Sequence, residues 1–256
     1  TEIYTLSLHD ALPIYDGGRL NGWERMPSAL PDGFAGGDDF DDNWKDQAKW
    51  GADIHPAGSL GIGLQEVNHR IEVTSNSTVE GGVFRPWILN SGSSTRDWEV
   101  AVDIHLGPVN LTVNGSHVEV MLGVWNADDR VNGFGLDHVA IALDLYRSGS
   151  GALSRTFPSY ARVNGSDVPG GQVQHATTAS GGRLRITYEA ATTTLRCWYD
   201  TSGTASQLQL LRAVNVAAPE SNWAMSAASR FEVVLGGSCS GTLLASANGV
   251  YLDNFS

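Results

Sequence analysis

Three stretches of this chain alternate in character with a period of two: WEVAVDIHL (98–106), HVEVMLGVW (117–125) and HVAIALDLYR (138–147). Successive side chains of a strand point to opposite faces of a sheet, so each stretch reads as a strand with one face committed to a core. Trp98, Val100, Val102, Ile104 and Leu106 form one apolar set. Val118, Val120, Leu122 and Val124 form a second, and Val139, Ile141, Leu143 and Leu145 a third. Shorter runs of the same kind lie at 67–73, 81–89, 183–189, 194–200, 207–214, 231–237 and 249–255, separated by turn residues. RLRITYE and TLRCWYD flank the short turn AATT and predict a hairpin. No helical periodicity of any length occurs, and 30 glycines punctuate the chain. This is the pattern of an all-β sandwich or barrel. The stretch 148–182 shows no clear alternation and reads as a long irregular excursion, a length usual only where a loop is functional or mobile.

The first fourteen residues, TEIYTLSLHDALPI, stand apart. Back-translated codon by codon they fit a widely used short-read sequencing adapter, so the chain reads as a metagenomic fragment. They lack the basic, apolar and small-residue regions of a signal peptide. The expected organisation is therefore an adapter-derived segment over 1–14, an irregular Gly/Pro-rich lead-in over 15–37, and one β-sandwich over 38–256.

Charge removes some function classes. The formal net charge is −12, or −10 without Glu2 and Asp10 of the adapter-like segment, and Lys45 and Lys49 are the only lysines. A chain so poor in basic residues is a poor nucleic-acid partner. No apolar run reaches membrane-spanning length. Cys197 and Cys239 are compatible with one disulfide or with two separate buried thiols. Oligomeric state cannot be read from these features.

Three segments carry a resemblance: DDFDDNWKDQAKW (38–50), GRLRITYEAATTTLRCWYD (182–200) and VYLDNF (250–255). Together they resemble the concanavalin A-like lectin and glucanase superfamily, over most of 38–256. The resemblance implies a two-sheet antiparallel jelly-roll sandwich in which the first and last strands pair. It also implies that any glycan lies on the concave sheet face. A structural Ca²⁺ is common in such proteins near the chain ends. The acidic group Asp38, Asp39, Asp41 and Asp42, with Asp253 from the last strand, is the candidate, Asp39 and Asp253 being the named ligands. Asp-rich turns that simply start strands are the alternative.

If the three long strands are neighbours, their other faces merge into one polar surface. It would hold Asp103, His105, His117, Glu119, Trp125, His138, Asp144 and Tyr146, with Ala101, Gly123, Ala140 and Ala142 leaving room between them. Carboxylates accept hydroxyl hydrogen bonds and rings pack on sugar C–H faces, so a polysaccharide or glycan is the expected partner. His117, Trp125, His138 and Tyr146, with Trp87, are the candidate ligand-binding residues. An ordinary solvated sheet face is the bland alternative. Trp44, Trp50 and Trp98 are expected in the core, and Trp198 could be a second sugar platform.

The chemistry is less determined. Retaining glucanases of the resembled superfamily alternate two or three carboxylates on one strand, and that pattern is missing. Glu99 and Asp103 are separated by Ala101, and Glu119 has no acidic neighbour two residues away. A hydrolase assembled across strands would use Glu119, with Asp103 or Asp144 as partner and His105 beside them. A polysaccharide lyase would use Asp103, His105, Arg70 and Glu72, although the signature Y-x-K-x-G-x-Y of such lyases is missing. A metal site from His105, His117 and His138 is a further option. The leading expectation is a non-catalytic, lectin-like domain of a secreted or cell-surface bacterial protein. A glycoside hydrolase or lyase comes next, then an adhesion or structural module. Arg155, Tyr160, Arg162 and His175 are expected to project from the long excursion over one end of the groove.

Overall fold

A computed structural model describes residues 36–56, 59, 61–131, 134–203 and 207–256. The adapter-like segment and the lead-in up to residue 35 lie outside the described residues. In chain order the strands are β1 (Ile62–Val67), β2 (Arg70–Ser75), β3 (Gly81–Pro86), β4 (Gly92–Ser93), β5 (Trp98–Leu106) and β6 (His117–Asn126). Then come β7 (Arg130–Val131), β8 (Phe134–Gly135), β9 (His138–Arg147), β10 (Leu153–Val163), β11 (Ser166–Asp167) and β12 (Val173–Ala176). The last are β13 (Gly181–Glu189), β14 (Thr194–Asp200), β15 (Gln209–Asn215), β16 (Arg230–Ser240) and β17 (Val250–Asp253).

They form two antiparallel sheets. One has seven strands in the order β1-β2-β17-β5-β13-β14-β15. The other has eight, with β11-β10-β9-β6-β16-β3 as its path, β12 added to β10 and β4 to β16. Of the sandwich or barrel that the alternation allows, the observed fold is the two-sheet jelly-roll sandwich that the resemblance implied. Its core lies between the sheets, where the three apolar sets of β5, β6 and β9 are all buried. Each fully buried Val, Leu or Ile there contributes about 1.5–3 kcal/mol of transfer free energy, which is why the period of two is so strict in these strands.

The two ends of the described domain meet as expected. Asp38 and Phe255 exchange backbone hydrogen bonds of 2.9 Å each way, and β17 sits between β2 and β5. Behind this closure, Trp50, Trp87 and Phe255 pack ring against ring with centroids 4.8–5.1 Å apart. Trp50 donates from Nε1 to Asp38 Oδ2 at 2.7 Å, which satisfies its one polar atom inside the cluster. At the sandwich edge, Arg85 of β3 is almost fully buried. It donates to Glu66 of β1 at 2.7 Å and to Asp53 at 2.8 Å, tying the two sheets together.

Several expectations need correction. The run 67–73 is not one strand: Asn68 and His69 both have positive φ and make the tight turn between β1 and β2. The stretch 148–182 contains β10, which extends the eight-stranded sheet beside β9, with β11 and β12 paired to it. Trp44 is exposed instead of buried, whereas Trp50 and Trp98 are in the core. Cys197 and Cys239 are buried free thiols in different sheets, and burial pushes Cys197 up to about 12. The hairpin over 183–200 forms as predicted, turning through a single 3-10 turn at Ala190–Thr192. Among the described residues no helix is long and apolar enough to cross a membrane.

Candidate functional site

The strand order decides which of the sequence candidates can meet. β6 and β9 are neighbours, and their register sets His117 opposite Tyr146, Glu119 opposite Asp144, Met121 opposite Ala142, Gly123 opposite Ala140, and Trp125 opposite His138. β5 belongs to the other sheet, so the three-strand surface does not exist as drawn from the sequence. Period-two alternation identifies a core-facing set but not the sheet that carries it.

Asp103 and His105 therefore stand on the outer face of the seven-stranded sheet, away from Glu119. Asp103 accepts from Arg183 at 2.7 Å and from Asn254 Nδ2 at 3.0 Å. His105 stacks on Tyr251, whose ring also carries the Arg70 guanidinium 4.0 Å from its centroid. Burial and the nearby positive charges of Arg70 and Arg155 hold the His105 pKa below the ordinary value. Arg70 chelates Glu72 rather than facing a groove. The same strand order undoes the three-histidine metal site. His117 and His138 sit at opposite ends of the β6–β9 ladder, roughly 27 Å apart by strand rise, and His105 is in the other sheet.

On the outer face of the eight-stranded sheet lies a groove of about 570 Å³. One end is apolar. Phe84 of β3 and Trp125 of β6 meet edge to face at 5.5 Å, and Met121, Ala142 and Val234 complete a cluster against which Ile54 and Tyr160 pack. Gly135 lies so close to Trp125 that a Cβ there would meet its Cβ at 2.7 Å and its ring at 2.8 Å, so only glycine lets the ring seat. Trp125 is thus a groove wall and not the exposed platform expected from the sequence: only 2% of it is accessible.

The other end is a hydrogen-bonded chain. Tyr160 donates from its hydroxyl to Glu119 Oε1 at 2.8 Å, and Ser238 of β16 donates to Glu119 Oε2 at 3.2 Å. Gln172 in turn donates to the Tyr160 hydroxyl at 3.3 Å. His117 lies between two serines, with Nε2 3.2 Å from Ser238 Oγ and Nδ1 3.0 Å from Ser240 Oγ. A serine hydroxyl has one proton, and that of Ser238 goes to Glu119. The His117 Nε2 must then donate to Ser238, leaving Nδ1 to accept from Ser240. Burial keeps His117 below its ordinary pKa, consistent with this neutral tautomer.

Glu119 and Asp144 are the electrostatic centre. Directly opposed residues of an antiparallel pair have Cβ atoms about 4.5–5.5 Å apart, so the carboxyls are close neighbours. Desolvation pushes Glu119 up to about 7, with the bonds from Tyr160 and Ser238 opposing the rise. Desolvation, then the negative charge of Glu119, pushes Asp144 up to about 8. The two titrate as one unit, and near neutral pH the pair retains a proton. Burial and the charge of Glu119 raise the Tyr160 phenol as well.

The remaining candidates fall elsewhere. His138 lines the apolar end, buried, with Nδ1 3.1 Å from the Gly135 carbonyl, and burial lowers its pKa. Tyr146 is 39% exposed beyond the polar end and outside the groove wall. Trp87 is a core residue of the aromatic closure, donating from Nε1 to Asn90 at 3.1 Å, and presents no surface to a ligand. From β10, Tyr160 and Arg162 do line the groove. Arg155 instead bonds the Ala179 and Leu106 carbonyls, and His175 leans on Tyr199.

The acidic group near the chain ends is spread over turns. Asp39 Oδ1 accepts from the Asp41 amide, Asp42 Oδ1 from Trp44 and Asp253 Oδ1 from Asn254, so these carboxylates cap turns. Among the described residues no group of three or more His, Cys, Asp or Glu is placed to hold a metal ion.

Ser238 and Phe84 were missed by sequence reasoning. The signal for Ser238 was available, because the alternation of FEVVLGG continues past 237 and carries Val234, Gly236 and Ser238 on the Glu119 face. Phe84 gave none, since the burial of every β3 residue hides its alternation.

No family model matches the chain, and no curated protein matches it. Several solved structures are similar to it. The winged bean acidic lectin complexed with methyl-α-D-galactose is 10% identical, with a TM-score of 0.46 over 80% of this chain and 94% of that one. A marine PL7 alginate lyase from Zobellia galactanivorans is 10% identical, with a TM-score of 0.46 over 82% and 95%. A glycoside hydrolase family protein from Mycobacterium thermorestibile is 11% identical, with a TM-score of 0.48 over 86% and 96%. What each of these binds or cleaves is a property of that protein.

Proposed function

We propose that the groove on the eight-stranded sheet is a glycan-binding site, and that the chain is the carbohydrate-binding domain of a secreted or cell-surface protein. The observation that carries this reading is the pairing of an apolar wall, Phe84, Met121 and Trp125, with a run of hydrogen-bonding groups, Glu119, Tyr160, Ser238 and His117, along one groove. A sugar ring has an apolar C–H face and a rim of hydroxyls, and such a site meets both at once. The extracellular placement is part of the same proposal, since the polysaccharides of cell walls and matrices lie outside cells.

One observation favours a second reading, a glycoside hydrolase. Glu119 and Asp144 face each other with both pKa values raised. One carboxylic acid and one carboxylate are the pair such hydrolysis needs. With the two close together, the carboxylate attacks the anomeric carbon as the acid protonates the leaving oxygen, and water then cleaves the glycosyl ester, giving its proton back to the first group. Against it, only Glu119 of the two lines the groove, and both its oxygens already accept from the protein.

The test is a glycan-array screen of the chain with soluble products assayed in the same wells, repeated with Tyr160→Phe and Glu119→Gln. Binding without product, weakened about tenfold or more in either variant, is the expected result. Product released by the wild type and lost in Glu119→Gln would make the chain an enzyme. Binding untouched by both variants would place the site elsewhere.

A further inference from the structure

The charge of the groove selects among glycans, an inference that rests on the glycan-binding reading. Of the described residues lining the groove, Arg162 is the single Lys or Arg. Its guanidinium pairs with Asp167, donating from Nε to Oδ1 at 2.7 Å, which balances its charge. The two lining histidines supply no positive charge at neutral pH, because burial lowers both. The acidic side is better represented. Glu80 and Glu119 line the groove, Asp144 stands behind Glu119, and Glu232 lies beside Trp125 across the β16–β6 ladder, paired with Arg130.

A uronate or sulfate ester entering such a site would lose its water and find one cation, Arg162, whose charge Asp167 already balances. It would also approach a carboxyl pair that already resists ionisation, chiefly through desolvation and, at Asp144, through the charge of Glu119. The field of a chain carrying −12 opposes the approach of a polyanion at longer range. Sugar hydroxyls meet the opposite situation. They would donate to Glu80 and exchange hydrogen bonds with the Tyr160 and Ser238 hydroxyls, while the apolar sugar face meets the edge of the wall formed by Phe84, Met121 and Trp125.

We infer that the groove takes an uncharged polysaccharide and excludes uronate-bearing and sulfated ones. The two classes separate in one experiment on the full chain. Affinity gel electrophoresis and calorimetry would be run with neutral polymers (mixed-linkage β-glucan, laminarin, galactomannan, xylan) and anionic ones (alginate, polygalacturonate, chondroitin sulfate), at low and at physiological salt. The expected result is retardation by at least one neutral polymer, insensitive to salt and reduced tenfold or more in Tyr160→Phe, with no retention on anionic gels even at low salt. Retention on an anionic polymer, weakened by salt and lost in Arg162→Ala, would overturn the inference and leave the glycan-binding reading standing. Failure to bind either class, with the sandwich intact by circular dichroism, would overturn both.

Discussion

The outer faces of the two sheets start from the same sequence pattern and end as different surfaces. On the seven-stranded sheet the outward residues form a ladder of cross-strand ion pairs. Glu99 pairs with Arg185, Asp103 with Arg183, and Glu189 with Arg196. Each charge is answered by its neighbour, and water screens the rest. On the eight-stranded sheet the outward residues are mostly buried. Phe84 leans in from β3, Tyr160 reaches across from β10, and the Ile54–Phe84 bridge adds a flank. A carboxylate there cannot be answered by solvent, so Glu119 and Asp144 hold a proton instead. The difference teaches that a polar outward pattern is no guide to exposure. What lies over a sheet decides whether its polar groups are solvated or poised.

That contrast is most easily broken at the tryptophans. Trp125→Ala, on the groove wall, should cost about 3–5 kcal/mol by large-to-small truncation in a packed cluster. Trp198→Ala, half-buried on the other face, should cost at most about 1.5 kcal/mol. Urea denaturation of the two variants checks this, and equal losses would mean that the groove wall is not packed as described.

The carboxyl pair comes next. A carboxyl whose folded pKa lies above its unfolded value stabilises the fold at low pH and loses that contribution as pH rises. For Glu119 the window runs from its ordinary 4.5 up through about 7. The wild type should therefore lose on the order of 2 kcal/mol between pH 5 and pH 8 from this group, and the E119Q variant should not. Parallel pH profiles of Tm in the two proteins would remove the dyad from the account.

Tyr160→Phe deletes one hydrogen bond to Glu119 and keeps the ring, so a loss of about 1–1.5 kcal/mol is expected. It should come with a further rise in the Glu119 pKa, read by carbon-13 NMR of the carboxyl. The smallest effect belongs to the ladder: Asp103→Asn should change stability by less than about 1 kcal/mol, and less again in 0.5 M salt. A larger loss would mean that the two faces are not as unlike as their surroundings suggest.

These surroundings also set what the sequence could reveal. The sandwich is legible in β5, β6 and β9, because burying one face forces an apolar residue at every second position. The β6–β9 half of the site is legible for the same reason, since Glu119 and Asp144 fall outward on strands that are near in sequence and adjacent in space. β5 is equally regular yet belongs to the other sheet, so Asp103 and His105 were drawn onto the wrong surface. Trp87 and Trp125 share a further difficulty. A tryptophan at a strand end reads as a platform until the elements packed over it are known, and those come from Phe84, Gly135 and the closing strand. β10 escaped because Ser154, Arg155 and Thr156 dilute its alternation, and the covering role of Tyr160 went with it.

The joining of Asp38 to Phe255 has a mechanical side. The pair is antiparallel, so the chain before Asp38 and the chain after Phe255 leave on the same side of the bridge. Tension applied between the two ends would load these hydrogen bonds one after another, as a zipper is opened, and not together in shear. The first event under force would be release of Ser256 from Ala101 and of Phe255 from Asp38, which would expose Trp50 and Trp87. The groove lies on the other sheet and would feel the pull only after this corner had opened.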